Sequence, residues 1–316
     1  MEKVSEEIRA VARRLFEDDK VDLIIGFENG SLPLRATPCS IRNAEDVERL
    51  VWNSGCENNL SVYIPKKKGR IGIVAKGCDS RSLVGLVKEK QIEREKLIII
   101  GVPCQGMIDR KILNWALKGR EALEIEEKPE GIVLKGNDFE EVVQKNDLLP
   151  DSCKTCTHRN PILFDVLIGD NTEENKETDE FETIKRFEAL SSDERWEYFT
   201  QEAGKCIRCY ACRNACPLCY CEECCVDGSQ PQWFGKSIEL TDTQVFHIMR
   251  AFHTTGRCVD CGACVRACPM DVNLRFLNKK IDKDVRELFS FEAGIDMEQP
   301  PPLSTFGLDD PDEFIK

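Results

Sequence analysis

Two twelve-residue segments of this 316-residue chain share one cysteine spacing, C-x2-C-x2-C-x3-C-P. They read CIRCYACRNACP at 206–217 and CVDCGACVRACP at 258–269. The spacing is typical of loops that wrap an iron–sulfur cubane, in which three thiolates hold three iron corners and the fourth ligates the other cluster of a pair. The two motifs are therefore expected to pack together as one pseudo-twofold unit.

The spacing assigns eight cysteines to two [4Fe–4S] clusters by crossed ligation. The first ferredoxin set is Cys206, Cys209, Cys212 and Cys268, and the second ferredoxin set is Cys258, Cys261, Cys264 and Cys216. The alternative is a pair of zinc sites, but zinc sites usually separate two C-x2-C pairs by a longer loop. The doubled pattern therefore favours iron–sulfur clusters.

The insert at 217–257, between the two motifs, carries four more cysteines, here called the insert set: Cys219, Cys221, Cys224 and Cys225. They can form a further metal site, share one with outside cysteines, or remain unligated beside the clusters. His247 and His253 lie on a predicted helix in this insert, and we expect them to pack or hydrogen-bond rather than ligate. Cationic residues also crowd the motifs, either tuning the cluster potentials or as surface and docking charge: Lys205, Arg208, Arg213, Arg257 and Arg266.

Residues 1–165 predict an α/β domain with a mainly parallel sheet. Strand-length apolar runs cover 21–27, 70–75 and 96–101, and helical spacing covers 4–16, 43–52 and 79–90. The continuous Ile, Leu and Val runs indicate strands that are buried on both faces, as in parallel sheets. One further strand is predicted at 132–134 and one further helix at 139–144.

Four cysteines of this half form a second candidate site, here called the N-terminal set: Cys78, Cys104, Cys153 and Cys156. Cys78 and Cys104 each follow the carboxyl end of a predicted strand, which is the edge where open α/β sheets bind ligands. Cys153 and Cys156 form a chelating C-x2-C pair. Together they give the four thiolates of a third [4Fe–4S] cluster or a zinc site, with unligated thiols as the remaining alternative. Cys39 and Cys56 have no partner by spacing and are expected to be core thiols.

The other segments are a polar linker with a helix at 166–200, an α+β dicluster ferredoxin-like domain at 201–290, and an extended acidic tail at 291–316. The net charge of −13 argues against nucleic acid as a partner. The longest aliphatic run, at 97–102, is too short for membrane insertion. Eighteen cysteines in a chain without an apolar signal core indicate metal or redox work in a reducing cytoplasm.

The N-terminal motifs GCDSRSL, GVPCQG and CKTCTHRNPILFDVLIGD resemble the beta-subunit family of deazaflavin-coenzyme-reducing hydrogenases and formate dehydrogenases over about residues 1–170. The C-terminal motifs look like the dicluster ferredoxin module fused to such domains, as in subunits that accompany heterodisulfide-reductase-like complexes. The resemblance implies electron transfer between a flavin or deazaflavin site and iron–sulfur relays, and it adds weight to the N-terminal set as cluster ligands. It also implies FAD, although no GxGxxG fingerprint supports a Rossmann-type site.

We therefore predict an iron–sulfur electron-transfer subunit with two or three [4Fe–4S] clusters, in a cytoplasmic anaerobic oxidoreductase complex of the hydrogenase, formate dehydrogenase or heterodisulfide-reductase-like kind. Its expected partners are the other redox subunits of that complex, flavin-containing or hydrogenase/formate dehydrogenase-like. The first alternative is a flavin-dependent subunit that exchanges hydride with a deazaflavin or nicotinamide coenzyme. The second alternative is a zinc-held interaction scaffold, which would contain zinc and no sulfide.

Overall fold

The computed structural model describes residues 2–175 and 177–302. Its strands are β1 (Leu23–Asn29), β2 (Ala36–Ile41), β3 (Ile71–Ala75), β4 (Leu97–Gly101), β5 (Glu124–Lys128), β6 (Gly131–Lys135), β7 (Glu140–Val143) and β8 (Val166–Leu167). Its helices are α1 (Glu2–Glu17), α2 (Gly77–Lys88), α3 (Arg110–Ala116), α4 (Asp151–Lys154), α5 (Glu182–Glu188), α6 (Ser192–Gly204), α7 (Ala211–Asn214), α8 (Leu240–His253), α9 (Ala263–Ala267) and α10 (Arg275–Phe289).

A five-stranded mixed sheet organises the N-terminal half in the order β2-β1-β3-β4-β8. The strands β1, β3, β4 and β8 run parallel, and β2 pairs antiparallel at one edge. Residues such as Ile24, Ile73 and Ile99 are fully buried, because α1 and the connecting segments cover the sheet. The expectation of an α/β fold with a mainly parallel sheet is confirmed for this half.

Two predicted helices are not found. The segment 139–144 instead contains β7, which pairs antiparallel with β6 and completes a small sheet in the order β5-β6-β7. Over 43–52, helical structure is limited to a short 3₁₀ turn, Glu45–Arg49. The Asn43 side chain does accept a hydrogen bond from the Asp46 amide (2.9 Å), but the chain becomes extended at Leu50.

The C-terminal half is built from helices and the two motif loops. Helix α6 packs on α8, α10 packs on α8 and α5, and α7 packs on α9. The described residues after Leu167 contain no strand, so the β part of the expected α+β domain is not found there. The motif loops pack through their short helices instead.

The beginning of the predicted tail docks on the N-terminal half. Phe291 and Ala293 are buried, and Arg81 on α2 donates to the Ala293 carbonyl (2.7 Å). Lys88, near the end of α2, donates to the Asp296 carbonyl (3.0 Å). Most of the expected extended tail, 303–316, lies outside the described residues. Within the described part of the chain, no helix has both the length and the apolar character that crossing a bilayer requires.

Candidate iron–sulfur site

The two cysteine motifs fold into loops of the same shape. The residues two and four positions after the first cysteine have left-handed backbone in both motifs: Arg208 (φ 52°), Tyr210 (φ 60°), Asp260 (φ 53°) and Gly262 (φ 70°). This conformation turns the Arg208 amide onto the Cys206 sulfur (3.3 Å), and the Asp260 amide likewise faces the Cys258 sulfur. Residues other than glycine rarely adopt this left-handed backbone conformation. Its repetition at equivalent positions therefore indicates that the two motifs form equivalent loops around their thiols.

The second ferredoxin set lines one small cavity. All four of its sulfur-bearing residues are in the wall: Cys216, Cys258, Cys261 and Cys264. Cys216 comes from the first motif and the other three from the second, and the contact between α7 and α9 brings the two motifs together. The structure thus assembles the residues of the predicted crossed set.

The first ferredoxin set lies around a neighbouring apolar cluster. Cys212 and Cys268 are buried in it, and Cys206 packs against it. Burial raises the pKa of the Cys206 thiol, and the nearby thiols of Cys268 and Cys209 raise it further. Cys209 itself is exposed, so this set reaches the protein surface.

The N-terminal set is assembled at the carboxyl edge of the parallel sheet. Cys78 is the second residue of α2, which follows β3 after one residue, and Cys104 follows β4, the parallel neighbour of β3. Cys153 lies on α4 and Cys156 just after it. All four line one cavity, as the sequence predicts from strand order and spacing.

Close backbone approaches hold this set together. A Cβ on Gly77 would lie 2.2 Å from the His158 carbonyl oxygen, so α2 can begin here only with glycine. The Cys104 amide donates to the Arg159 carbonyl (2.9 Å), which ties the loop after β4 to the same segment. The residues that follow the C-x2-C pair therefore position both strand-end cysteines.

Cys104 and Cys261 show how strongly burial disfavours the thiolate form in these sets. Burial, with a smaller contribution from the neighbouring Cys153, raises the pKa of Cys104 to about 12. Burial likewise raises the pKa of Cys261 to about 12, against the opposing charge of Arg266. Buried thiols of this kind become thiolates when iron or another metal binds them.

Arg250 is a site residue that the sequence analysis missed. It lies on α8, is 7% exposed, and lines the cavity of the second ferredoxin set. Its guanidinium donates to the Cys212 carbonyl (3.3 Å), while its Nε atom is buried without a partner. The only sequence signal is a lone charge on an otherwise apolar helix face, in FHIMRAFH.

The five cations flagged in the sequence all have protein partners. Lys205 pairs with Glu202, Arg213 with Asp227, and Arg257 with Glu89 on the N-terminal half. Arg208 donates to the Asp242 carbonyl (3.0 Å), and Arg266 donates to the Cys261 carbonyl (3.0 Å). Arg266 thus bonds to the backbone of a predicted cluster ligand.

The insert set lies beside the first motif. Cys219, Cys221 and Cys224 line a further cavity together with His253, while the Cys225 sulfur lies 3.8 Å from the His253 Nδ1 atom. His247 is buried with both ring nitrogens unpartnered, as a packing residue. Cys39 and Cys56 are buried in the N-terminal core, where they were predicted.

A larger polar cleft of about 580 Å³ opens between the two halves. One wall is the segment 57–66, and the other contains residues of the first motif and the insert, including Cys216, Cys219 and Tyr220. Lys66, Arg213 and Arg266 also line it. The cleft thus brings cationic and aromatic groups next to the cluster motifs.

The donor chemistry fits iron–sulfur clusters. The second ferredoxin set and the N-terminal set each present four thiols to one cavity, and sulfur is the donor such clusters take. Across residues 2–175 and 177–302, no three His, Cys, Asp or Glu side chains are placed to hold a single metal ion. The thiols of the second ferredoxin set and the N-terminal set thus surround cavities and do not converge on the position of a single ion.

Residues 252–272 match the family model for a 4Fe-4S binding domain. The chain is similar to the F420-dependent formate dehydrogenase subunit beta of Methanocaldococcus jannaschii, with 23% identity over 93% of each chain. It is also similar to the F420-dependent formate dehydrogenase 1 subunit beta of Methanococcus maripaludis, with 25% identity over 94% of this chain and 92% of that one. The resemblance expected for about residues 1–170 is confirmed and extends over almost the whole chain.

Among solved structures, a chain of the F420-reducing [NiFe] hydrogenase complex from Methanosarcina barkeri aligns with 48% of this chain and 58% of its own length. The identity is 14% and the TM-score is 0.38.

Proposed function

We propose that this chain is an iron–sulfur electron-transfer subunit of an oxidoreductase complex, with three [4Fe–4S] clusters on the first ferredoxin set, the second ferredoxin set and the N-terminal set. When bound, such clusters supply one-electron transfer. The 4Fe-4S domain match and the two formate dehydrogenase beta subunits support this class of function. By the likeness to these beta subunits, its partners are other subunits of a formate dehydrogenase-like complex.

One observation carries the proposal. Cys261 of the second ferredoxin set lines its own cavity and also the cavity of the N-terminal set. At the junction between the two ferredoxin sets, the Cys212 thiol of the first lies near enough to the Cys264 thiol of the second for their charges to interact. These two sets are therefore adjacent. The three sets therefore form a continuous series from the exposed Cys209 to the sheet edge.

The residues around the series hold the thiolates and set their electrostatics. Backbone amides two positions after Cys206, Cys216 and Cys258 face those sulfurs. Amide donors to sulfur and nearby cations favour the reduced, more negative state and so raise reduction potentials. Arg250 and Arg266 supply the cations at the two junctions between sets.

The test is iron and acid-labile sulfide per chain in full-length protein purified without oxygen. Cys209→Ala and Cys104→Ala should each lower both contents by about four, because each removes a ligand of one [4Fe–4S] cluster. Cys39→Ala is the matched control, since Cys39 is a core thiol, and it should leave both contents unchanged. Unchanged iron in Cys104→Ala would contradict the third cluster, and zinc without sulfide would favour the scaffold alternative.

The polar cleft favours one second candidate, a flavin-dependent subunit that exchanges hydride with a deazaflavin or nicotinamide coenzyme. Its lining contains two tyrosines for a planar ligand and three cations for a phosphate, against the carboxylates of Glu57 and Glu222, and it borders Cys216 of the second ferredoxin set. Flavin extracted in a one-to-one ratio from the anoxic protein would support this candidate. A Lys66→Glu variant should then retain less flavin, whereas protein that neither contains nor takes up flavin would contradict the candidate.

A further inference from the structure

The insert set is not used by any of the three proposed clusters, yet the fold gathers it. Cys219, Cys221, Cys224 and His253 line one cavity, although His253 is 29 residues from the nearest of these cysteines. No Asp or Glu lines this cavity, whereas Arg213, Arg250 and Arg257 do. Three thiols and an imidazole thus face a common space whose charged lining is entirely cationic.

Local bonds hold these donors in place. The Cys219 amide donates to the Cys216 carbonyl (3.2 Å), and the Asp227 amide closes a turn on the Cys224 carbonyl (2.8 Å). Asp227 in turn pairs with Arg213 of the first motif. His253 ends α8, the helix that also carries Arg250. The donors therefore come from two anchored segments.

We propose that these residues bind a fourth iron–sulfur cluster, with the thiolates of Cys219, Cys221 and Cys224 and the imidazole of His253 as its ligands. Arg213 and Arg257 already pair with Asp227 and Glu89, so Arg250, which has no carboxylate partner among the described residues, is the cation that offsets the negative charge of the thiolates and the cluster. Cys225, whose sulfur is 3.8 Å from His253 Nδ1, flanks the imidazole at the exposed side. This proposal goes beyond the three clusters of the proposed function.

A cluster fits this site better than a single zinc ion. Zinc holds sulfur at about 2.3 Å and nitrogen at about 2.0–2.1 Å, so its ligand atoms lie within about 4 Å of one another. No three candidate side chains in the described ranges, 2–175 and 177–302, are placed to hold one ion. A cubane places iron and sulfide between its protein ligands, so it accepts donors spread around a cavity.

The experiment compares full-length variants purified without oxygen. Cys221→Ala/Cys224→Ala should lower iron and acid-labile sulfide by about four each per chain, while Cys39→Ala leaves both unchanged. Cys219 is left intact because both its amide and its thiol hydrogen-bond to Cys216, a ligand of the second ferredoxin set. Adding Cys104→Ala should remove a further four irons, which shows that the other sites remain loaded.

A second readout addresses the histidine. In the reduced protein, pulsed EPR should detect at one cluster the strong nitrogen coupling of an iron-bound imidazole, above the weak couplings of backbone amides, and His253→Asn should abolish it while His247→Asn does not. Unchanged iron and sulfide in Cys221→Ala/Cys224→Ala, or zinc lost in place of iron, would overturn the proposal. Failure of the three-cluster function would instead appear as unchanged iron in Cys209→Ala or Cys104→Ala. The Cys221→Ala/Cys224→Ala variant is compared only with wild type, so its result does not depend on those two variants.

Discussion

Arg250 brings a positive charge into the protein interior between the thiols of both ferredoxin sets. Its neighbours include Cys212 of the first set and Cys216 and Cys264 of the second. A buried charge acts strongly on its surroundings because the protein interior screens it less than water does. The two clusters proposed there should therefore depend on this one side chain.

We expect Arg250→Gln to lower the reduction potentials of both ferredoxin clusters, because it removes a cation that favours the reduced state. The shift corresponds to about 59 mV for each 1.4 kcal/mol of lost attraction. A redox titration followed by EPR measures it. Arg250→Lys keeps the charge and should remain near the wild-type potentials, and equal potentials in Arg250→Gln and wild type would rule out this role.

His247 should make the folded state sensitive to mild acid. Burial, together with the nearby charges of Arg250 and Arg208, lowers its pKa to about 4. The imidazole takes up a proton below about pH 6.5 in the unfolded chain but only near pH 4 in the folded chain. The free energy of unfolding therefore falls as the pH is lowered from about 6.5 to about 4. The loss from this group amounts to about 2 kcal/mol at pH 5.

His247→Leu should therefore show a smaller fall in unfolding free energy between pH 7 and pH 5 than wild type. Denaturant unfolding at the two pH values measures the difference. Because the buried ring nitrogens have no partners, Leu is also expected to stabilise the protein by about 1 kcal/mol at pH 7. An unchanged pH dependence would contradict the assignment.

At the scale of elements, the cysteine sites were easier to predict from the sequence than the small antiparallel sheet β5-β6-β7. Cluster spacing is local, and two parallel strands of continuous Ile and Val brought Cys78 and Cys104 to one edge. The strand β5 reads EIEEK and has no apolar run, so its pairing with β6 depends on tertiary context. Arg250 was missed because its role depends on how α8 docks on the motifs.

The start of α2 is the element on which the N-terminal set depends most. Gly77→Ala would force a Cβ against the His158 carbonyl, so α2 and the C-x2-C segment must separate. We expect this variant to lose about four irons while it keeps the ferredoxin clusters. Gly204→Ala, on α6, is the control because its new Cβ would meet only Leu240 at an ordinary 3.9 Å. Full iron content in Gly77→Ala would show that the set does not need this contact.

At the scale of the molecule, the two halves share a boundary through Cys261 and Arg266. The division at 1–165 and 201–290 remains a prediction of chain organisation.

If the clusters of the two halves are neighbours, their unpaired electrons should interact. The reduced protein is expected to give broadened EPR signals, and Cys104→Ala should sharpen those of the second ferredoxin cluster. A wild-type spectrum that is the simple sum of isolated clusters would contradict the shared boundary.

The docked segment after α10 has a mechanical consequence. The C-terminal half leaves the parallel sheet after β8 and, at its far end, returns to α2 through Phe291, Ala293 and Asp296. A module tethered at both ends to one body cannot swing out as a mobile arm that carries charge between distant docking points. With the clusters proposed above in place, electrons would follow a fixed path, and a partner would dock near the exposed Cys209.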